Sequence, residues 1–307
     1  MASQEHPGGR LAALSDDLAA AVERAGHAVV TVDARRGLPA TGIVWPGDGI
    51  VVTADHVVER DEDIAVILPD ERRVPAQVAG RDPGSDLAVL RLTGAAPAPA
   101  TLAPAAATKV GHLVLALGRP AGGTLMASFG IISALGGRWR TARGGTLDGY
   151  VRADLALYPG FSGGPLVDMQ GRVVGLNSWH LARGEALALP AALAHDIVQL
   201  LLTQGRIRRA YLGVTSQPVA LPSAMRQQLG LQQESALMVL GVEPGSPAEQ
   251  GGLLLGDLLL ALGGQPVTDA EDLRQALGPA AAGQPTTLTV VRGGARLELA
   301  VTPRERG

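Results

Sequence analysis

From His27 to Leu92 the chain is a succession of short aliphatic runs, AVVTV, GIVVTA, DIAVIL and DLAVLRL, cut by Gly, Pro and Asp turns. Runs this short, bounded by turn residues and rich in β-branched side chains, predict strands rather than helices. That confines the segment to an all-β unit. A second set of runs follows: HLVLAL, ASFGIISAL, VRADLAL and RVVGLNSW. Between the two sets lies Gly94 to Ala107, GAAPAPATLAPAAA, whose Pro and Ala content predicts a surface linker rather than a strand. Pro190 then opens a helical pattern carrying Leu193, Ile197, Leu200 and Leu201. Two β-barrels joined by the linker 94–107 and closed by a helix over 190–204 satisfy this order.

A chain of 307 residues with 46% hydrophobic content exceeds what one core usually organises, so two folding units are expected. With two Phe, three Tyr and three Trp, their cores must be filled by aliphatic side chains. Beyond Gly205 and the basic run Arg206 to Arg209, strands alternate with helical segments near Ala248 to Gly252 and Ala270 to Leu277, an α+β pattern. Thr268 and Glu271, three residues apart, predict a capping box for the second of these helices. At the other end, Ser15 stands as an N-cap, and Leu14, Leu18, Ala21 and Val22 fall at helical spacing. The expected plan is a helical segment over 1–26, a β unit over 27–205 and an α+β domain over 206–307.

Several classes of function are disfavoured. The formal charge is -3 and the 26 Lys and Arg residues are dispersed, so there is no basic stripe for phosphate binding and nucleic acid is not an expected partner. No cysteine is present, which removes disulfides, thiolate catalysis and zinc sites built on Cys, and no cofactor or metal is expected. The first residues, MASQEHPGGR, lack the cationic start and apolar core of a signal peptide, and no run reaches the roughly 18 apolar residues of a spanning helix. The expectation is a soluble, cytoplasmic protein, or an extracytoplasmic one if the N-terminus is not native.

The strongest chemical signal is Gly160-Phe161-Ser162-Gly163-Gly164-Pro165. A serine in a glycine-rich turn can be approached closely by a substrate carbonyl, and the turn can aim the Gly160 and Ser162 N–H groups at one point, forming an oxyanion hole. The letters also satisfy the Gly-x-Ser-x-Gly elbow of α/β-hydrolases, but there the acid and histidine follow the serine. Here His56, in the run Val52-Thr53-Ala54-Asp55-His56, precedes it at a strand end. An imidazole needs an acid on its far nitrogen to fix the tautomer. Asp82, in Asp82-Pro83-Gly84-Ser85, reads as the first residue of a β-turn and serves its own backbone, while Asp86 heads the strand DLAVLRL. Asp55 is expected at the solvated surface, since adjacent strand residues point to opposite faces.

Taken together, TADHVV, DPGSDLAVL and GFSGGPLV, in that order, resemble the HtrA/Deg family of trypsin-like serine proteases from about Ala28 to the end of the chain. The resemblance implies a mostly β fold: a chymotrypsin-like double β-barrel followed by a PDZ domain. It implies cleavage of unfolded or damaged proteins, with His56 as general base, Asp86 as its orienter and Ser162 as nucleophile. Leu157, five residues before the serine, matches the lining of the primary specificity pocket and implies small or medium apolar residues before the cut. The chain departs from the family at Phe161, where a polar residue is usual, and it lacks the N-terminal aromatics that pack family trimers. Further on, Val242-Glu243-Pro244-Gly245-Ser246-Pro247-Ala248-Glu249 resembles the PDZ domains that follow such proteases. Tyr211-Leu212-Gly213-Val214 matches their loop that holds a peptide's terminal carboxylate while the peptide adds as a strand. Unfolded polypeptide substrates, PDZ peptide ligands and a homo-oligomer are the partners implied.

Overall fold

The computed structural model describes residues 7–120, 123–141, 146–182, 185, 187–207, 210–278 and 281–305. His6 and the last two residues of the basic run 206–209 lie outside the described residues. The chain divides into two compact units, Met1–Arg206 and Ile207–Gly307.

The first unit opens with helix α1 (Pro7–Gly26), longer than the sequence pattern implies. Ser15 sits inside it rather than capping it, because Pro7 suits a first turn and the Leu- and Ala-rich residues after Arg10 propagate the helix before the serine is reached. Ala21 and Ala25 are buried, and Arg24 ties the last turn down by donating to the carbonyls of Met169 and Gln170 (3.0 and 3.2 Å).

Strands β1 (Val29–Asp33), β2 (Ala40–Val44), β3 (Ile50–Thr53), β4 (Ile64–Ile67), β5 (Arg73–Asp82) and β6 (Leu87–Leu92) close into an antiparallel barrel in the order β1-β2-β3-β6-β5-β4. Every residue of β2 and β3 is buried, which is why these strands read as continuous aliphatic runs without alternation. The segment predicted as a linker is bonded to both barrels. Ala100 N–H donates to the carbonyl of Val44 (2.8 Å), and Thr101 and Ala103 pair with Val173 (2.8 Å each).

The second barrel uses β7 (Leu113–Gly118), β8 (Met126–Gly136), β11 (Tyr150–Asp154), β12 (Pro165–Val167), β13 (Val173–Ser178) and β14 (Leu187–Pro190), closed in the order β11-β14-β13-β12-β7-β8. A short hairpin, β9 (Trp139–Arg140) with β10 (Thr146–Leu147), stands between β8 and β11. From the end of β14, helix α2 (Ala191–Gln204) returns to the first barrel and stops at Gly205 in a left-handed C-cap (φ +74°). Gly80 on β5 makes room for it, since a Cβ there would lie 2.8 Å from the carbonyl oxygens of Leu201 and Gly205.

The second unit is a sheet in the order β16-β17-β18-β20-β21, built from β16 (Val214–Ala220), β17 (Ser235–Val242), β18 (Leu258–Leu262), β20 (Thr286–Arg292) and β21 (Ala295–Val301). Strands β15 (Ala210–Tyr211) and β22 (Arg304–Glu305) pair separately, and β19 (Gln265–Pro266) pairs with β18. Its helices are α3 (Ser223–Leu229), α4 (Pro247–Gln250) and α5 (Ala270–Ala276). Leu212, Leu237, Val239, Leu259, Leu288 and Val290 belong to its core. The capping box on α5 is shifted by one residue from the sequence expectation. Asp269 is the N-cap, accepting from the N–H groups of Glu271 and Asp272, and Asp272 reaches back to the N–H and hydroxyl of Thr268. The aspartate at position 269 is the stronger cap and displaces Thr268 from that role.

Candidate active site

The chain leaves β3 into a single 3-10 turn, Asp55–Val57, so His56 sits on a turn just past the strand end. Its backbone N–H donates to Asp86 Oδ1 (3.0 Å), and its Nδ1 lies 2.8 Å from Asp86 Oδ2 and 3.0 Å from Oδ1. One carboxylate therefore fixes both the turn and the ring. Asp86 precedes β6 in left-handed backbone (φ +53°), a conformation Asp tolerates better than most residues. The Asp82 turn imposes it: Asp82 accepts from Gly84 N–H, Ser85 N–H and Ser85 hydroxyl (3.3, 3.0 and 2.6 Å), and Asp86 N–H closes on Pro83 O (3.3 Å). Burial pushes the Asp86 carboxyl up. The hydrogen bond and charge of His56, with the Ser178 hydroxyl, outweigh that and hold it below the usual carboxylate range.

The turn carrying Ser162 is anchored by Phe161, which is fully buried and fills a hole over Gly118. A Cβ on Gly118 would come within 2.3 Å of its ring, and Tyr158 packs edge-on to it at 5.4 Å. Gly160 and Gly163 both have positive φ (+87° and +86°), and a Cβ on Gly163 would meet Thr41 O and Thr53 Oγ1 at 2.2 Å. Within the turn, Phe161, Gly163 and Gly164 donate their N–H groups to Tyr158, Asn177 and Phe161 carbonyls. Among the described residues the N–H groups of Gly160 and Ser162 have no protein acceptor. The Gly160 carbonyl is held by the Thr41 hydroxyl (2.6 Å), which also accepts from Arg119 N–H (2.9 Å).

Ser162 Oγ accepts a hydrogen bond from Trp179 N–H (3.3 Å); it is not bonded to His56 in this arrangement. The two halves of the site are linked through the end of β13. Ser178, next to Trp179, donates its hydroxyl to Asp86 Oδ2 (2.5 Å) and accepts from the N–H groups of His180 and Leu181. His180 lies against His56, ring centroids 3.8 Å apart at 61°. Sequence reasoning missed Ser178, His180 and Thr41: each is brought in by non-local pairing, and a serine and a histidine after the run RVVGLN carry no motif of their own. Leu157 is 7% exposed and belongs to the core of the second barrel with Phe161 and Ile132.

Asp55 corrects an expectation. It is 2% exposed rather than solvated, and its carboxylate accepts from Arg81 Nε of β5 (2.7 Å). Strand alternation placed it outside, but the 3-10 turn ends that alternation before residue 55, so Asp55 turns inward to a guanidinium.

In the second unit, Tyr211-Leu212-Gly213-Val214 runs from β15 into β16, with Gly213 at φ +84°. The Leu212 and Gly213 carbonyls accept from Ala248 and Glu243 N–H (2.9 Å each), and the Tyr211 hydroxyl donates to Glu243. Among the described residues, the Leu212 and Gly213 N–H groups have no protein acceptor. A Cβ on Gly213 would strike Ser246 at 2.2 Å. β16 is an edge strand, and α5 packs beside it.

Two closed six-stranded barrels, with a His–Asp pair and a glycine-flanked serine, have the architecture of a trypsin-like peptidase, and residues 40–176 match the family model described as a trypsin-like peptidase domain. Residues 238–292 match the model for a PDZ domain. The chain belongs to the HtrA family of proteases. The solved structure titled HtrA-type protease AlgW with tripeptide is 31% identical, with a TM-score of 0.72 over 94% of this chain and 97% of that one. The serine endoprotease from Yersinia pestis is 28% identical, with a TM-score of 0.74 over 94% and 98%. A probable periplasmic serine endoprotease, DegP-like, of Pseudomonas putida (strain W619) is 36% identical over 267 residues, 85% of this chain and 55% of that protein. The chain thus spans about half the length of the curated relatives it matches. No described helix is long and apolar enough to cross a membrane.

Proposed function

We propose that this chain is a serine endopeptidase acting on unfolded polypeptides, with Ser162 as nucleophile, His56 as general base and Asp86 as its orienter. The observation that carries the reading is the conjunction of the Asp86–His56 pair at 2.8 Å with a serine turn whose Gly160 and Ser162 N–H groups have no acceptor among the described residues. In the reaction, Ser162 Oγ attacks the scissile carbonyl while His56 Nε2 takes its proton. Asp86 accepts from Nδ1–H, holding the tautomer and stabilising the imidazolium, and the two N–H groups receive the oxyanion. His56 later gives the proton to the leaving amine, and water repeats the sequence on the acyl-enzyme. Ser178, the other serine at the site, is committed: its hydroxyl donates to Asp86 and accepts two N–H groups, which supports Ser162 as the reacting one.

One feature bears on the resting state. Ser162 Oγ is engaged by Trp179 N–H, so attack requires it to turn toward His56, and this favours an enzyme that a bound substrate or ligand completes. The second reading, a chaperone-like peptide binder with an idle protease unit, draws on the same bond. A fluorophosphonate probe separates them: labelling of wild type and its loss in Ser162→Ala supports the enzyme, and unlabelled wild type refutes it. Casein hydrolysis with and without an apolar C-terminal peptide shows whether ligand completes the site.

The PDZ unit is read as a binder of peptide C-termini or apolar segments. The Leu212 and Gly213 N–H groups, without a protein acceptor among the described residues, support binding of a terminal carboxylate, and the open edge of β16 supports addition of a ligand strand. By the family resemblance, Leu157 supports cleavage after small or medium apolar residues, which mass spectrometry of casein fragments tests. Homo-oligomerisation is part of the same reading and is measured by light scattering. The relatives' names carry a periplasmic location, and cell fractionation separates that from the cytoplasmic expectation.

A further inference from the structure

We propose that His56 and His180 together form a binding site for a borderline transition cation such as Zn2+, with Asp86 as the supporting carboxylate, and that occupancy of this site switches the peptidase off. The second half rests on the reading of His56 as general base; the first rests on geometry alone.

The two imidazoles touch, with centroids 3.8 Å apart, and one ligand atom from each of His56, His180 and Asp86 lies within 4.8 Å of the others. Two nitrogens on a tetrahedral zinc with bonds of about 2.0–2.1 Å sit about 3.4 Å apart, so the two rings, now packed edge-on, must part and turn one nitrogen each toward a common point. The donor chemistry selects the cation. Imidazole suits zinc and copper, whereas calcium and magnesium need sets dominated by oxygen.

His56 already carries the outer partner that metal-bound histidines ordinarily have, a carboxylate on the far nitrogen: Asp86 Oδ2 is 2.8 Å from Nδ1, leaving Nε2 to face a cation. His180 is placed by the same apparatus. The Ser178 hydroxyl that donates to Asp86 also accepts from His180 N–H (3.0 Å), fixing the turn that lays the second ring on the first. The His56 side chain is only 9% exposed while His180 is exposed, so a cation reaches the pair from the His180 side, with waters completing its coordination.

The consequence for turnover follows from one lone pair. His56 Nε2 accepts the Ser162 proton through the electrons that would bind the cation, so metal and catalysis exclude each other. Removing the metal restores the base with no covalent change.

The test is calorimetric titration of ZnCl2 into tag-free, full-length Ser162→Ala protein, with and without His180→Ala or His180→Gln, paired with zinc inhibition of casein hydrolysis by chains retaining Ser162. The expected result is zinc binding weakened about 10–100-fold by either His180 substitution, the range that even an outer partner commands at a metal site. The inhibition midpoint should shift by the same factor, with EDTA restoring activity. Equal zinc affinity and equal inhibition with and without His180 would overturn the proposal. Binding that depends on His180 in a chain without peptidase activity at any zinc level would support the site and overturn the enzymatic reading instead.

Discussion

Replacing Thr41 by valine removes one hydroxyl while keeping the β-branched shape that β2 packs. That hydroxyl joins three segments: its own strand, the Gly160 carbonyl in the serine turn at 2.6 Å and the Arg119 N–H after β7 at 2.9 Å. Thr41 is fully buried, so water does not replace it readily. A buried polar group left without its partner costs about 1–3 kcal/mol. Two such groups, one of them only partly buried, make a loss of about 3 kcal/mol the working figure. For a unit of this size each kcal/mol lowers the melting temperature by about 2–4 °C, so scanning calorimetry should show a fall of roughly 6–12 °C. The kinetic effect is separate. Freed from Thr41, the Gly160–Phe161 peptide can rotate and loosen the backbone of Gly160, whose own N–H lies in the preceding peptide, and losing one oxyanion donor outright costs about 10²–10³ in kcat. Partial loss should give a fall of about tenfold or more in kcat, with KM little changed, on an internally quenched peptide well below the melting range. Thr41→Ser, which keeps the hydroxyl, should recover most of it. Full kcat in folded Thr41→Val protein would refute the idea that this hydroxyl holds the oxyanion turn.

Of the two aspartates four residues apart, Asp86→Asn should cost about 10⁴ in turnover, as the same change does in the trypsin-type triad, while Asp82→Asn, serving its turn, should cost less than about tenfold; the reverse ranking in well-folded proteins would reassign the orienter. Ser162→Ala should retain the wild-type melting curve and lose casein cleavage. Asp86 and Asp257 have folded carboxyl groups below the ordinary range: burial raises both, but His56 and Ser178 at Asp86, and Arg292 with Leu254 N–H at Asp257, prevail. Their stabilisation is therefore fully present above about pH 4 and is lost as pH falls through the lower folded values; melting temperatures that stay flat from pH 5 to pH 2 would contradict it. In β16, Pro218 has no N–H to offer a ligand strand, so C-terminal peptides should gain affinity with length only until they reach it, and Pro218→Ala should extend that gain in fluorescence polarisation.

How much of this was readable in advance depends on the range of the interaction. The barrels show in the sequence because closed, fully buried strands demand aliphatic runs, and β2 and β3 are buried at every position. Helix α3 (Ser223–Leu229) was not anticipated: none of its residues is fully buried, and its apolar face is a single pair, Met225 and Leu229, packed against Leu221, Ala236, Leu260 and Val291, too short a stripe to read in SAMRQQL. The start of α1 was misplaced because a serine with two aspartates imitates a cap wherever a helix is already under way. Asp55 shows the limit of periodicity, since alternation holds only while the backbone stays extended, and one 3-10 turn reverses the inference for the next residue.

The site divides along the same line. His56, Asp86 and Ser162 can be named because each stands in a local motif whose backbone requirement is visible in letters: a strand end, an Asp-Pro-Gly turn, a serine among glycines. What supports them is non-local and made of ordinary residues. Ser178 reaches Asp86 across 92 positions, Thr41 reaches Gly160 across 119, and neither a serine in a strand nor a threonine in a strand announces a partner. The supporting hydroxyls nevertheless set the chemistry, because they decide which acceptors are already satisfied. Asp86 accepts from His56 and Ser178 and Gly160 O from Thr41, and the donors left over among the described residues are the Gly160 and Ser162 N–H groups of the proposed nucleophile's turn. An active site of this kind is defined as much by the polar groups the fold has satisfied as by the few it has left open. The motif names the open ones, and only the folded chain shows why they stay open.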